Sequence, residues 1–559
     1  MGFSQITSLC LCSLLSSVLS AAPLQKEHVT YLMQQKEIQG ALDLYDTYQK
    51  EIGRHDFEIL VQMCTIILEQ GIRSGDLTTQ LSSLYGTSVA NLTSSLDILE
   101  QGIRSQNVET QLASIQMIAS LHDDLADELL TKAMASPFLM VRMEAGYYLA
   151  ERKHRKATGH LEALMLKIPP DFWFYFPQFF ALVGTHDAIA VLKHLMEDRL
   201  PATRVEAILN AARFGRDDLL SRIRAHATHC RPDEQEAAAA ALGGLLDSTS
   251  IPKLKELCKS SVNSVKLAAL KSLYQLGDTK ALFPIFDMAK MGDLYAIALL
   301  GQLPGGQDVL SDLLSHSSIN IRLNATLSLL FHRDPRCLKT LFEFLLHDSK
   351  DLGFQPISSL GHSLMAWKVV PSLSQQQKQL AMDLSGISSQ LRLQMLAACL
   401  ELKEDDFLAI ATKVFESRAI ELIPLLVQLL ENHGTAQAIQ LLKTHAESAG
   451  APLSRMYCSL SLFRLKEAGP YENRLKQWIE KSQTLEMIKF HSPVPWNIKN
   501  TLSTYELAPQ ESTRLLIECY EALSEEHSSQ SIEMLLQGIR NGHPKNRYAL
   551  AGLLIRTLQ

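Results

Sequence analysis

Stepping along the chain by 31 residues from Gln80 lands on Gln111, Arg142, Trp173, Arg204, Gln235 and Lys266, and each opens a similar pattern. Apolar or small residues follow at offsets 1, 3, 4 and 7: Leu267, Ala269, Leu270 and Leu273 after Lys266, and Met143, Ala145, Gly146 and Leu149 after Arg142. That spacing lines one face of an α-helix. At offset 15 stands a column of alanines, Ala126, Ala157, Ala188 and Ala281, each opening a second apolar run such as ALFPIF. One unit is therefore two short helices, and no unit alone covers its own apolar faces. Stacking neighbours is the physical remedy. The pattern predicts an all-α chain, an α-solenoid of stacked two-helix repeats of about 31 residues.

A duplication reinforces the register. ILEQGIRS begins at Ile67 and again at Ile98, and a cousin, LLQGIRNG, begins at Leu535. Its placement predicts an interhelix turn, with Gly71 and Gly102 as left-handed helix ends, Ile72 and Ile103 as the apolar contacts after them, and Ser74 and Ser105 capping the next helix. Beyond Lys266 the step loosens, and Asp293, Arg322, Arg392, Arg455 and Arg547 open later units. The register fails between Asp351 and Ser385, and two prolines interrupt His491 to Thr501. The resulting segmentation is a leader over 1–20, an N-terminal helical cap over 21–66, a repeat array over 67–350, an irregular insertion or distorted repeat over 351–385, further repeats over 386–482, a loop over 483–504 and C-terminal helical repeats over 505–559.

The step from Val or Ile to Arg or Lys, followed by a small-residue helix, recurs in VRMEAGYYL, VKLAALKSL and IRLNATLSL. This resembles the HEAT repeats, particularly the short bacterial form first grouped with phycobilisome lyases. The likeness covers residues 67–350 well and 386–559 in patches, while GALDLYDTYQK looks like a tetratricopeptide hairpin that would cap the first unit. The resemblance implies a fold without choosing a function, because scaffolds, lyases and DNA-repair enzymes share it. It also implies that the recurring basic residues Arg142, Arg204, Lys266, Arg322 and Arg392 pair with carbonyls or acidic side chains of a neighbouring unit.

Composition and charge narrow the classes. Of 559 residues, 46% are hydrophobic and 20% charged, with a formal net charge of -7. A basic nucleic-acid-binding face is not expected from that balance. The first 20 residues carry no charge, and Ile6 to Leu19 form an apolar core followed by small residues at Ser20, Ala21 and Ala22. This predicts a signal peptide cleaved near Ser20 and export to the periplasm or beyond, the apolar core being too short for stable membrane insertion. Seven cysteines lie beyond the leader without a C-x-x-C pair and read as small buried hydrophobes.

Candidate chemistry is sparse. His226, His229 and Cys230 form a metal-like cluster, but no second cluster supplies a fourth ligand, so no metal or other cofactor is expected. The basic run Arg152 to Lys156 falls in a turn and is not repeated in neighbouring units. None of the 18 histidines is followed by Glu, which excludes the His-Glu iron centre of the HEAT-like deoxyhypusine hydroxylases. No nucleophile elbow, phosphate loop or zinc-protease motif is present. The expectation is an exported, non-enzymatic scaffold that binds a protein partner and no nucleic acid. Two alternatives stay open: a HEAT-like DNA-binding enzyme resembling the alkylpurine glycosylases, and a lyase or chaperone for a bound pigment. In DFWFYFPQFF, residues 171–180, the core offsets take Phe174, Phe176, Pro177 and Phe180. They leave Phe172, Trp173, Tyr175 and Phe179 as candidate partner-binding residues. The final helix, YALAGLLIRTLQ, lacks a polar outer face, so the C-terminus is expected to be covered by self-association or by the partner.

Overall fold

The computed structural model describes residues 25–90, 96–121, 124–346, 352–371, 378–417, 419–448, 451–488, 511–525 and 527–559. The predicted leader and most of the predicted loop over 483–504 lie outside them. The described chain is helical apart from one two-stranded hairpin, and no described helix is long and apolar enough to cross a membrane. It divides into two compact units, residues 1–145 with 451–559, and residues 146–450.

In the first unit, α1 (Phe57–Ile72) and α2 (Leu77–Ala90) pair across a short turn. Here the predicted role of the octet needs correction. Gly71 lies inside α1, and the chain stays right-handed through Arg73 at φ -81°. Its missing side chain serves packing: a Cβ at Gly71 would lie 2.5 Å from the Tyr548 ring, and one at Gly102 would lie 2.0 Å from Ser114 Oγ. Nor is Ser74 the cap. Its hydroxyl accepts the Asp76 amide at 3.1 Å, and the Asp76 carboxylate caps α2 by accepting the Thr79 amide at 2.9 Å. The two adjacent copies of the octet also meet, Arg73 Nε donating to Gln101 Oε1 at 2.9 Å.

In the second unit, α3 (Pro201–Arg213), α4 (Pro232–Gly244), α5 (Asn263–Gln275), α6 (Leu294–Leu300) and α7 (Ile319–Phe331) lie side by side as one layer. Short helices between them form the other layer, so this is an α-solenoid of two-helix repeats. Proline opens α3 and α4, where the missing N–H is no loss, and Asp293 caps α6 by accepting the Tyr295 and Ala296 amides. Small residues let the layer close up. Ala237, Ala238 and Ala239 are fully buried, and the Ser272 hydroxyl donates across to the Ala239 carbonyl at 2.8 Å. Where the sequence register fails, the chain forms β1 (Leu352–Ser358) and β2 (Met365–Pro371), antiparallel with Ser358 opposite Met365 and Leu352 opposite Pro371. Helix resumes in α8 (Lys378–Ala398).

The last helix, α9 (Asn546–Leu558), belongs to the first unit and packs on α1 and α2. Leu550, Leu553, Leu554 and Ile555 are buried there. Gly86 and Gly552 make the approach possible: a Cβ at Gly86 would lie 2.1 Å from the Tyr548 carbonyl oxygen, and one at Gly552 would lie 2.1 Å from that of Gly86. The expected self-association through the C-terminal helix is thereby corrected. The same chain's N-terminal helices cover it. Five of the seven described cysteines are buried, Cys258 is half-buried and Cys230 exposed; burial pushes the Cys337 thiol up to about 12.

Candidate functional site: a hairpin read by one helical layer

Several of the donors that open the repeats share one task, while the Nε of Arg142, in the same column, is buried without a hydrogen-bond partner among the described residues. Gln80 Nε2 donates to the Ser74 carbonyl at 2.7 Å, Gln111 Nε2 to that of Ser105 at 2.6 Å and Gln235 Nε2 to that of His229 at 2.6 Å. Arg204 reaches the carbonyls of Asp198 and Arg199, and Arg322 those of His316 and Ser317. Each side chain folds back to satisfy carbonyls left open at the end of the preceding helix. Arg204, Arg322 and Arg392 add an acidic partner each: Glu234, Glu343 and Glu421.

Trp173 occupies the same column and does the same thing. Its indole N–H lies 3.1 Å from the Met165 carbonyl and 3.2 Å from that of Ile168. It is half-buried with its polar atom engaged, so it is no free anchor. Phe179 is fully buried, edge-on to Phe176 and Tyr147, because the short helix Phe176–Val183 turns it inward; its assignment to a contact surface is corrected. Tyr175 is half-buried against Phe174, with ring centroids 4.1 Å apart. Only Phe172 of the four is an exposed ring, at 49%.

The residues His226 and His229 converge, but on a carboxylate. Glu234, fully buried, faces His226 Nδ1 at 2.9 Å and His229 Nδ1 at 3.5 Å, with Arg204 on its other side. Burial alone would raise the Glu234 carboxyl; hydrogen bonds from Arg204 and His226 outweigh it and hold the group below its usual range. This is an ion cluster joining α3 to α4.

The strongest polar constellation was not anticipated from sequence. The hairpin lies on the layer α3 to α7, and the helices bind its main chain. Asn324 brackets Trp367, accepting its N–H at 2.9 Å and donating to its carbonyl at 2.7 Å. Asn320 Oδ1 accepts the Val369 N–H at 2.7 Å, and the Tyr295 hydroxyl donates to the Ser358 carbonyl at 2.8 Å. At the tip, residues 359–364 close over α3 and α4. Glu236, fully buried, accepts the Gly361 N–H at 2.9 Å, the Ser363 N–H at 3.2 Å and the hydroxyls of Ser359 and Ser363. His362 Nδ1 stands 3.0 Å from Glu206 Oε1. A Cβ at Gly361 would lie 2.4 Å from the Asp233 carbonyl oxygen, so the tip touches main chain to main chain. A signal existed for Glu236. At offset 1 the other units from Gln80 to Lys266 carry Leu81, Leu112, Met143, Phe174, Val205 and Leu267, and Glu236 is the exception.

No family model matches the chain, and no curated protein matches its sequence. Among solved structures it is similar to a mutant of Kap121p, at 10% identity and a TM-score of 0.33, over 97% of this chain and 77% of that one. UNC-45 from Drosophila melanogaster matches at 12% identity and 0.33, over 96% and 88%. Kap95p matches at 11% and 0.29, over 87% and 63%. Likenesses this slight, all with TM-scores below 0.5, carry no functional argument.

Proposed function

We propose that this protein is an exported, non-enzymatic α-solenoid scaffold that binds a protein partner. One observation carries the reading: a repeat layer in which Asn324, Asn320 and Tyr295 bind the main chain of an extended strand. Such contacts suit polypeptide in general, because every residue but proline offers the same N–H and C=O. The polar clusters found here are engaged in holding the fold or the hairpin, and the net charge of -7 disfavours nucleic acid as partner. Export rests on the uncharged apolar leader ending in small residues near Ser20. Phe172 is the aromatic at which a second contact is proposed, with Trp173 and Tyr175 as its half-buried support.

Cross-linking in the native cell, followed by mass spectrometry, tests this. The expected result is a polypeptide linked to residues within 201–331, on a chain whose N-terminus begins after Ser20. Links to nucleic acid alone, or a cytosolic chain retaining residues 2–20, would overturn it.

A further inference from the structure

We propose that Glu206, Glu236, Tyr295, Asn320 and Asn324 form a binding site for an extended partner segment carrying a glycine-containing turn and a basic side chain, with the hairpin as its internal competitor. This deepens the scaffold reading and rests on it. α7 and α8 contact each other directly, and the hairpin touches both of them. A lone two-stranded hairpin is marginal in water, so this one is held by the helices beneath it. Phe354, edge-on to Phe344, is its buried apolar anchor at one end; at the tip Leu364 is buried too, beside the polar contacts of Gly361 and His362.

The same groups specify what could replace it. Asn324, Asn320 and Tyr295 read main-chain atoms, which any extended segment supplies. Glu236 is more demanding. It is fully buried, and among the described residues its partners are hydroxyls and main-chain N–H groups, with no ion pair. An occupant must return those donors, because an unsatisfied buried carboxylate is strongly unfavourable. The contact at Gly361 leaves no room for a side chain, so the turn needs glycine there. Glu206 adds a second carboxylate, whose Oε1 lies 3.0 Å from His362 Nδ1, and favours a cation at that point. The hairpin's covalent tether gives it an effective concentration on the order of millimolar, so a partner segment must bind more tightly than the hairpin alone would.

The probe is a fluorescein-labelled synthetic peptide of residues 352–371, added to the full-length chain and read by anisotropy. A chain with residues 352–371 replaced by a Gly/Ser linker should bind it at least tenfold tighter than the unaltered chain. Glu236→Gln in the linker background should remove that gain, His362→Lys in the peptide should preserve binding, and His362→Glu should weaken it at least tenfold. Equal binding by the unaltered chain would overturn the competitor role. A folded linker variant that ignores the peptide, or binds it regardless of Glu236, would overturn the site. Should excision unfold the chain, Gly361→Val decides: its side chain must lift the tip off Asp233, and a peptide of residues 358–366 should then bind where it did not before. Absence of binding there overturns the site too. Persistence of native cross-links to a polypeptide in that event would leave the scaffold reading standing with a different contact face.

Discussion

Trp173 does with an indole what Arg204 and Arg322 do with a guanidinium, closing the carbonyls of the turn behind it. Trp173→Phe keeps most of the apolar contact and removes the donor, so it should cost about 1 kcal/mol in urea unfolding. Trp173→Arg should recover most of that; equal stability of Phe and Trp would show that the indole N–H is idle. The column was legible because its members share donor chemistry, but reading Trp173 as an aromatic hid the fact that its ring nitrogen is a donor too. Asp76 makes the corresponding point for acids. Hydrogen bonds from Thr79 and Thr78 lower its carboxyl from 3.8 to about 2. A depressed pKa gives stability that is complete above the unfolded value and lost as pH falls through the folded one. The stability difference between the chain and Asp76→Asn should therefore shrink between pH 3.8 and about 2, and a constant difference across that window would contradict the assignment.

At the scale of elements, helices that cross without side chains between them depend on glycine for space rather than for backbone freedom. Gly552→Ala drives a methyl into the Gly86 carbonyl and should destabilise by roughly 1–3 kcal/mol, whereas Gly75→Ala, with nothing within 4 Å, should be nearly silent. The helices themselves were readable from 3.6-residue periodicity, since offsets 1, 3, 4 and 7 reach the core in most units. Which helix each one meets was not, because Gly71 and Gly102 look the same whether they end a helix or admit a neighbour. The hairpin escaped for a related reason: its strands are held by side chains from α7 and α8, contacts between segments that local alternation does not encode. Asn324→Ala should leave the Trp367 N–H and C=O without that partner at a cost of about 1–3 kcal/mol to hairpin docking. Faster amide exchange over 352–371, with 57–90 unchanged, is the expected signature. Unchanged exchange would mean that Asn324 does not hold the strand.

For the molecule as a whole, the consequential arrangement is a unit assembled from both ends of the sequence. The described residues within 1–145 and 451–559 share one compact body, in which α9 packs its apolar face on α1 and α2. Ion pairs support the same joining: Arg540 reaches Asp46 at 2.7 Å, and Lys545 reaches Glu486 at 3.4 Å. These pairs are partly exposed, each contributing a few tenths of a kcal/mol to about 1 kcal/mol, so the buried leucines of α9 carry the larger share. In a repeat array, stability is close to a sum of neighbour contacts, and removing the closing helix should loosen the units it touches while sparing distant ones. Deletion of residues 546–559 is therefore expected to accelerate amide exchange over 57–90 by at least tenfold and to leave 232–275 as it was. It should also expose the faces of α1 and α2, giving concentration-dependent association of a chain whose full-length form keeps that surface covered. Unchanged protection over 57–90 would show that α9 merely rests on the first repeats. Equal loss over 232–275 would show that the two compact units unfold as one.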